Sequence, residues 1–266
     1  MIYVLFACST TPENPPTVAQ DNVQVAPEKV MDVVDVDKKV ITNISTGLEN
    51  ERWKIVATSQ KIEVINKQNQ EKRTIYEFTS NSEEGTECEE EGTATPLSLV
   101  GNFFSWQESG GGYCEGAAHP YTYQEWYTID LHKPLQKDEY GLRSTMDIRE
   151  LLSEEDLLNA LIQDKVVQKY WGKREYPNTL SGLLDNIDGD CDIRFSDLPK
   201  DFSFHHIQQQ KDGSYNVAVR FGLPYGCEAN RGNFTELGMY FPIPTQYVSD
   251  FVYADTHQQL GKYLHK

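Results

Sequence analysis

Two runs, 97–106 (LSLVGNFFSW) and 121–130 (YTYQEWYTID), do most to limit the folds open to this chain. Both are rich in aromatic and β-branched residues, the composition of strands. The stretch 109–121 (SGGGYCEGAAHPY) joins them, with three adjacent glycines, a cysteine, an acid and a histidine before a proline. Glycines in such a connection permit positive φ and a tight or bulged hairpin. The expectation is therefore two antiparallel strands with the glycine stretch as their link.

Three further runs, 53–58 (WKIVAT), 61–66 (KIEVIN) and 73–79 (RTIYEFT), also read as strands. The run 81–92 is strongly acidic and reads as a solvated loop, without the carboxylate spacing of a calcium loop. Helical signal begins near Met146, where 147–152 suggests a short turn. Ser153 with Asp156 three residues on resembles a capping arrangement. Leu157, Leu158, Leu161, Ile162, Val166 and Tyr170 follow at helical spacing, which predicts one amphipathic helix over about 154–171, ended by Gly172. A shorter helix is expected over 179–185. Strands at 202–207 and 215–221 should pair through the Asp212-Gly213 turn, with a last strand at 238–244 and a helical segment at 244–251. The fold class is α+β: an antiparallel sheet packed with one main helix, in a single domain over 46–266.

The beginning of the chain sets the compartment. Residues 1–7 (MIYVLFA) are apolar and too few to span a bilayer, which needs about 20. They have the character of the end of a signal's apolar segment. Leu5-Phe6-Ala7-Cys8 resembles a bacterial lipobox, so residues 1–8 are read as a truncated lipoprotein signal with Cys8 as the lipid attachment. Residues 9–45 then form a flexible tether, its first part rich in Thr, Pro, Gln and Asn. Export to the cell envelope (periplasm, or outer membrane in a two-membrane organism) is the expectation, with membrane contact only through the lipid. Four cysteines remain, and their order favours two disulfides, Cys88–Cys114 and Cys191–Cys227. The spacing does not suit a zinc site. With 24 basic and 41 acidic residues, the formal charge is −17. Such a charge repels phosphate backbones and anionic headgroups, which argues against nucleic acid and peripheral membrane partners. It fits solubility or a cationic partner.

The order of features resembles a known family. Gly116-Ala117-Ala118-His119 precedes an aromatic strand, Asp130-Leu131, Asp147-Ile148, a capped helix, an Asp-Gly hairpin and Leu223-Pro224-Tyr225. That series, over roughly 46–252, is similar to the extracytoplasmic domain shared by the lysozyme-sensing anti-sigma factor RsiV and the non-catalytic part of the peptidoglycan deacetylase PdaC. The family hallmark reads Gly-Gly-Ala-His, and this chain has alanine at the second place. The sensor's sigma-binding and membrane-spanning segments and the deacetylase motifs are not found here. The resemblance thus implies a binding or scaffold domain on the envelope, with lysozyme, another basic protein or a cell-wall ligand as partner and no chemistry of its own.

Candidate ligand-binding residues are Tyr113, Glu115, Gly116, His119, Tyr121 and Tyr123, since tyrosine offers apolar area and a hydroxyl at low entropic cost. His119 with Glu115 also has the composition of a general base oriented by an acid, so a peptidoglycan hydrolase is one alternative. It lacks an evident nucleophile, because Ser109 has no Gly-x-Ser-x-Gly setting. His119 locking the turn through hydrogen bonds is the blander reading. Asp185, Asp188, Asp190 and Asp192 offer carboxylates for a calcium-dependent adhesion module, although the EF-hand spacing fails and a structural turn is preferred. His205-His206 is a weak metal lead, because strand neighbours face opposite ways. No cofactor is implied.

Overall fold

The computed structural model describes residues 47–79, 88–117, 119–135, 145–187, 195, 198–223 and 234–261. All of them belong to one compact unit, Ile41–Lys266. Cys8, the tether, the Cys191–Cys227 pair and three of the four calcium candidates (Asp188, Asp190 and Asp192) lie outside the described residues.

Among the described residues nine strands form three antiparallel sheets, each a simple run of sequential neighbours. The first holds β1 (Trp53–Thr58), β2 (Lys61–Asn66) and β3 (Lys72–Glu77). The second holds β4 (Cys88–Val100), β5 (Phe103–Cys114) and β6 (Tyr121–Asp130), and the third β7 (Phe202–Gln209), β8 (Tyr215–Leu223) and β9 (Thr235–Pro242). Helices α1 (Glu154–Leu161), α2 (Lys165–Trp171) and α3 (Leu180–Leu184) separate the second and third sheets in sequence, and α4 (Val248–Thr256) follows the third. The architecture is α+β and mostly strand.

The middle sheet has an apolar layer on each face. Leu99, Phe104, Trp106 and Ile129 pack with Trp53, Ile55, Ile62, Val64 and Ile75 of the first sheet. On the opposite face Val100 and Phe103 join the larger core of α1–α4 and β7–β9. Polar atoms in this second interface are matched: Ser105 Oγ lies 2.8 Å from Thr128 Oγ1, which donates to the carbonyl of Phe202 at 2.6 Å. Alternation in β5 and β6 places Trp106 and Trp126 on opposite faces, one toward each neighbouring sheet.

Three expectations are corrected. Residues 97–106 are not one strand but the end of β4, a two-residue turn and the start of β5, with Val100 opposite Phe103. Gly101, at φ +54°, takes the first central position, where a type II′ hairpin wants glycine. Second, Gly110, Gly111 and Gly112 are not in the connection. They lie inside β5, paired on both sides, and residues 115–120 make the turn. The run 88–92 of the expected acidic loop is likewise the first part of β4.

Third, the helix expected over 154–171 is two helices. α1 is capped by Ser153, whose hydroxyl accepts from the Asp156 N–H at 3.0 Å, and it stops at Leu161. Asp164 then sits in extended conformation and its Oδ1 accepts the N–H groups of Val166 and Val167 at 2.7 and 3.2 Å, starting α2. The break shifts the buried stripe by one residue, so that Val167 and Trp171 are buried in place of Val166 and Tyr170. The Cys88–Cys114 disulfide forms as expected, joining directly opposed residues at the outer ends of β4 and β5 with Cα atoms 3.9 Å apart.

Candidate functional site

The outer half of the middle sheet extends from the core as a three-stranded ribbon closed by the disulfide. Its register sets Glu90, Gly112 and Tyr121 in one row, then Gly92, Gly110 and Tyr123, then Ala94, Glu108 and Glu125, then Pro96, Trp106 and Tyr127. Rows two residues apart share a face, so all of these residues look the same way.

The glycines explain the geometry. Tyr121 on β6 reaches across β5 and donates its hydroxyl to Glu90 Oε1 on β4 at 2.7 Å. That path is open only because Gly112 has no side chain, since a Cβ there would stand 2.8 Å from the Tyr121 hydroxyl oxygen. Tyr123 lies over Gly110 toward Gly92 in the same way, its hydroxyl 2.6 and 2.9 Å from where their Cβ atoms would be. Glycine weakens a bare strand, but a ring laid across it restores cover to the backbone.

Carboxylates alternate with these rings. Trp106 Nε1 donates to Glu108 Oε1 at 2.7 Å, and the Tyr127 hydroxyl donates to Glu125 Oε2 through a short bond. Trp106 is stacked between Phe104 and Tyr127, at ring separations of 5.5 and 5.1 Å. Bonding to Glu90, with burial adding to it, pushes the Tyr121 phenol up to about 12. Burial and the charges of Glu108, Glu125 and Glu90 raise Tyr123, and burial with Glu125 raises Tyr127 further. The phenols therefore stay protonated and act as donors at neutral pH.

The charge on this ribbon is one-sided. Between residues 74 and 132 the sequence has eleven Asp and Glu and no Lys or Arg, seven of the acids falling within 88–130, while Glu77 on β3 pairs with Lys61. Neither Glu90 nor Glu125 is ion-paired among the described residues, each being held by a tyrosine hydroxyl. The described residues include three exposed large hydrophobic side chains, and two of them, Tyr113 at 47% and Tyr121 at 38%, lie at the ribbon tip.

Of the residues singled out from sequence, the structure brings Tyr121 and Tyr123 together on the acidic face. Tyr113 pairs with Glu89 and projects from the other face. Glu115, Gly116 and His119 lie exposed in the connecting turn, with Gly116 at φ +86°. The His119 Nδ1 is 3.2 Å from the carbonyl of its own neighbour Pro120, and no bond joins it to Glu115. The two do not form an oriented acid–base pair here. Glu90, Glu108 and Glu125 were not singled out from sequence; Glu108 stands two residues from Trp106 and Glu125 two from Tyr123 and Tyr127, a local signal that Glu90 lacks.

Two weaker leads resolve differently. His205 and His206 occupy a bulge in β7 rather than a regular strand, and each meets a separate hydroxyl, Ser203 Oγ at 2.9 Å and Tyr240 Oη at 2.5 Å. Burial, with Arg220 nearby, drives the His205 imidazole down to about 3, so it is neutral at ordinary pH. Asp185 is the exposed C-cap of α3. Among the described residues no group of three or more His, Cys, Asp or Glu is placed to hold a metal, and no helix is long and apolar enough to cross a membrane.

The fold and this face together define a disulfide-tied α+β domain presenting an acidic, tyrosine-lined ribbon. Compared with known proteins, the chain matches no family model and no curated protein.

Proposed function

We propose that this domain is a binding module for a cationic protein, taken up on the Tyr121–Tyr123 face of the β4–β6 ribbon. The observation that carries the reading is the eleven acids without one Lys or Arg over 74–132, set beside the exposed Tyr121 and the half-buried Tyr123. A one-signed surface steers an oppositely charged partner, and tyrosines supply contact area for a stable complex. Glu90 and Glu125 already accept tyrosine hydroxyls and keep further lone pairs for a partner's Lys or Arg. The family resemblance makes lysozyme the first partner to try. Lipid attachment at Cys8 and display on the cell envelope belong to the same proposal, and a disulfide at the ribbon tip is in keeping with an oxidising compartment. The domain acts by binding, without catalysis.

Calorimetry with lysozyme and a panel of basic proteins tests this. Binding in the micromolar range, weakened about tenfold by the double substitution Glu90→Gln with Glu125→Gln, is expected. Affinity no tighter than about 1 mM for every basic protein at physiological salt removes the reading. Loss of lipid labelling in Cys8→Ser checks the anchor separately.

A further inference from the structure

A second site lies away from the ribbon, where the loop before β1, the β4–β5 turn and α4 meet. These segments enclose an open cleft of about 370 Å³, lined by Asn50, Arg52, Asn102, Ser249, Asp250 and Tyr253, with Glu51 at its edge. The floor is fixed by hydrogen bonds. Asn50 Oδ1 accepts the N–H groups of Arg52 and Trp53, both at 2.9 Å, while its Nδ2 donates to the Gly101 carbonyl at 2.7 Å. Asn102 Oδ1 accepts from Trp53 Nε1 at 2.9 Å.

Two charged groups on this floor are left unmatched. Asp250 is half-buried against the turn, where a Cβ on Gly101 would stand 2.6 Å from its Oδ2. Among the described residues its carboxylate accepts no hydrogen bond and joins no ion pair, and burial raises its pKa. Arg52 is half-buried too, and among the described residues its guanidinium meets Asn102 Oδ1 at 3.4 Å and the His132 ring but no carboxylate. The two line one cleft without pairing with each other. Exposed surface charges without partners are ordinary, but opposite charges held apart across a shared, partly desolvated cleft carry an electrostatic cost until something bridges them.

We infer that this cleft binds a small zwitterion, an amino acid or short peptide, with its ammonium group on Asp250 and its carboxylate on Arg52. A ligand of single charge satisfies one group and brings a like charge toward the other. The volume sits at the small end of the usual ligand-pocket range of roughly 300–1,000 Å³, the scale of one or two amino-acid residues. Tyr253, stacked on His257 at 3.9 Å, is the third exposed large hydrophobic side chain and gives the ligand an aromatic wall. Ser249, exposed on α4, adds a hydroxyl, and Glu51 adds negative potential at the ammonium end.

The test is an NMR titration of the full chain with glycylglycine, N-acetylglycylglycine and glycylglycinamide. Glycylglycine should give saturable shifts at the amides of residues 50–52, 101–102 and 249–253, with a Kd of about 1 mM, and each blocked form should bind at least about tenfold more weakly. Asp250→Asn removes a carboxylate that makes no internal bond, so the fold is kept; it should weaken glycylglycine and leave the N-acetyl form unchanged. Arg52→Gln should do the converse, with Arg52→Lys recovering part of the affinity. Absence of saturable shifts up to about 50 mM overturns the inference, as does a blocked form that binds as tightly as the zwitterion.

Discussion

Tyr121 spans a whole strand to reach Glu90, and the residue that permits this is the one that contributes nothing, Gly112. Gly110 is the more demanding of the pair, because an added Cβ would stand 2.3 Å from the Glu91 carbonyl oxygen, a backbone atom that has no rotamer to escape into. Gly110→Ala should therefore cost about 1–3 kcal/mol in urea unfolding and displace the Tyr123 ring. Gly116→Ala is the control: its φ of +86° strains any side chain, but nothing lies within 4 Å, so a loss of about 1 kcal/mol with the ribbon intact is expected. The carboxylate bonded to Tyr121 has its own signature. An unfolded tyrosine ionises near 10.0, while Tyr121 in the folded chain is held at about 12. The unfolded state thus loses its proton first, so stability is complete below pH 10 and falls as the pH climbs from 10 to 12. Glu90→Gln should make that alkaline loss shallower and bring one phenol back toward 10, read from absorbance at 295 nm on the order of ~0.1 pH steps.

The strands were more legible than their connections. Runs 53–58, 61–66 and 215–221 coincide closely with β1, β2 and β8 because alternation and β-branching are local properties. The glycine stretch misled for a local reason also. Three glycines in sequence signal a turn, and what keeps them in a strand is the pair of rings that β6 lays over them, which no window on residues 109–112 contains. The α1–α2 break had a visible marker in Asp164, a good N-cap residue, but Leu157, Leu158 and Leu161 before it and Val166 and Tyr170 after it masked it by nearly keeping period. The disulfide is the element whose placement followed from sequence and whose role did not. Cys88–Cys114 pins β4 and β5, two of the three strands that carry the acidic face, and closing its loop contributes roughly 3–4 kcal/mol in the chain-entropy model. Replacing both cysteines by serine should lower stability by about that amount. It should also speed amide exchange at Glu89–Gly92 and Gly110–Tyr113 far more than in β8, because the ribbon tip has little core beneath it. Equal acceleration in both regions would show that the bridge secures the whole domain and not the ribbon.

Net charge was plain in the sequence at once, but its meaning depended on distribution. Eleven of the acids fall within 74–132, a stretch with no Lys or Arg of its own, and the remaining residues share a net −6 (−17 less −11). The acidic face could not be assembled from sequence because Glu90, Glu108 and Glu125 belong to three strands, and only register lines them up. Concentrated like charge has two consequences of opposite sign. In the free domain it is self-repulsion, which mobile ions screen over about 10 Å at 0.1 M. In a complex with a basic protein it is attraction, screened by the same ions. Raising salt from about 0.02 to 0.5 M should therefore raise the Tm of the free domain by a few degrees while weakening lysozyme binding by at least about tenfold, mainly through a slower association rate. Glu90→Gln with Glu125→Gln should flatten both curves together, since it removes charge from the shared source. If salt weakens the complex while Tm stays level in both proteins, the attraction comes from acids spread over the rest of the surface. The ribbon would then lose its claim to be the binding face.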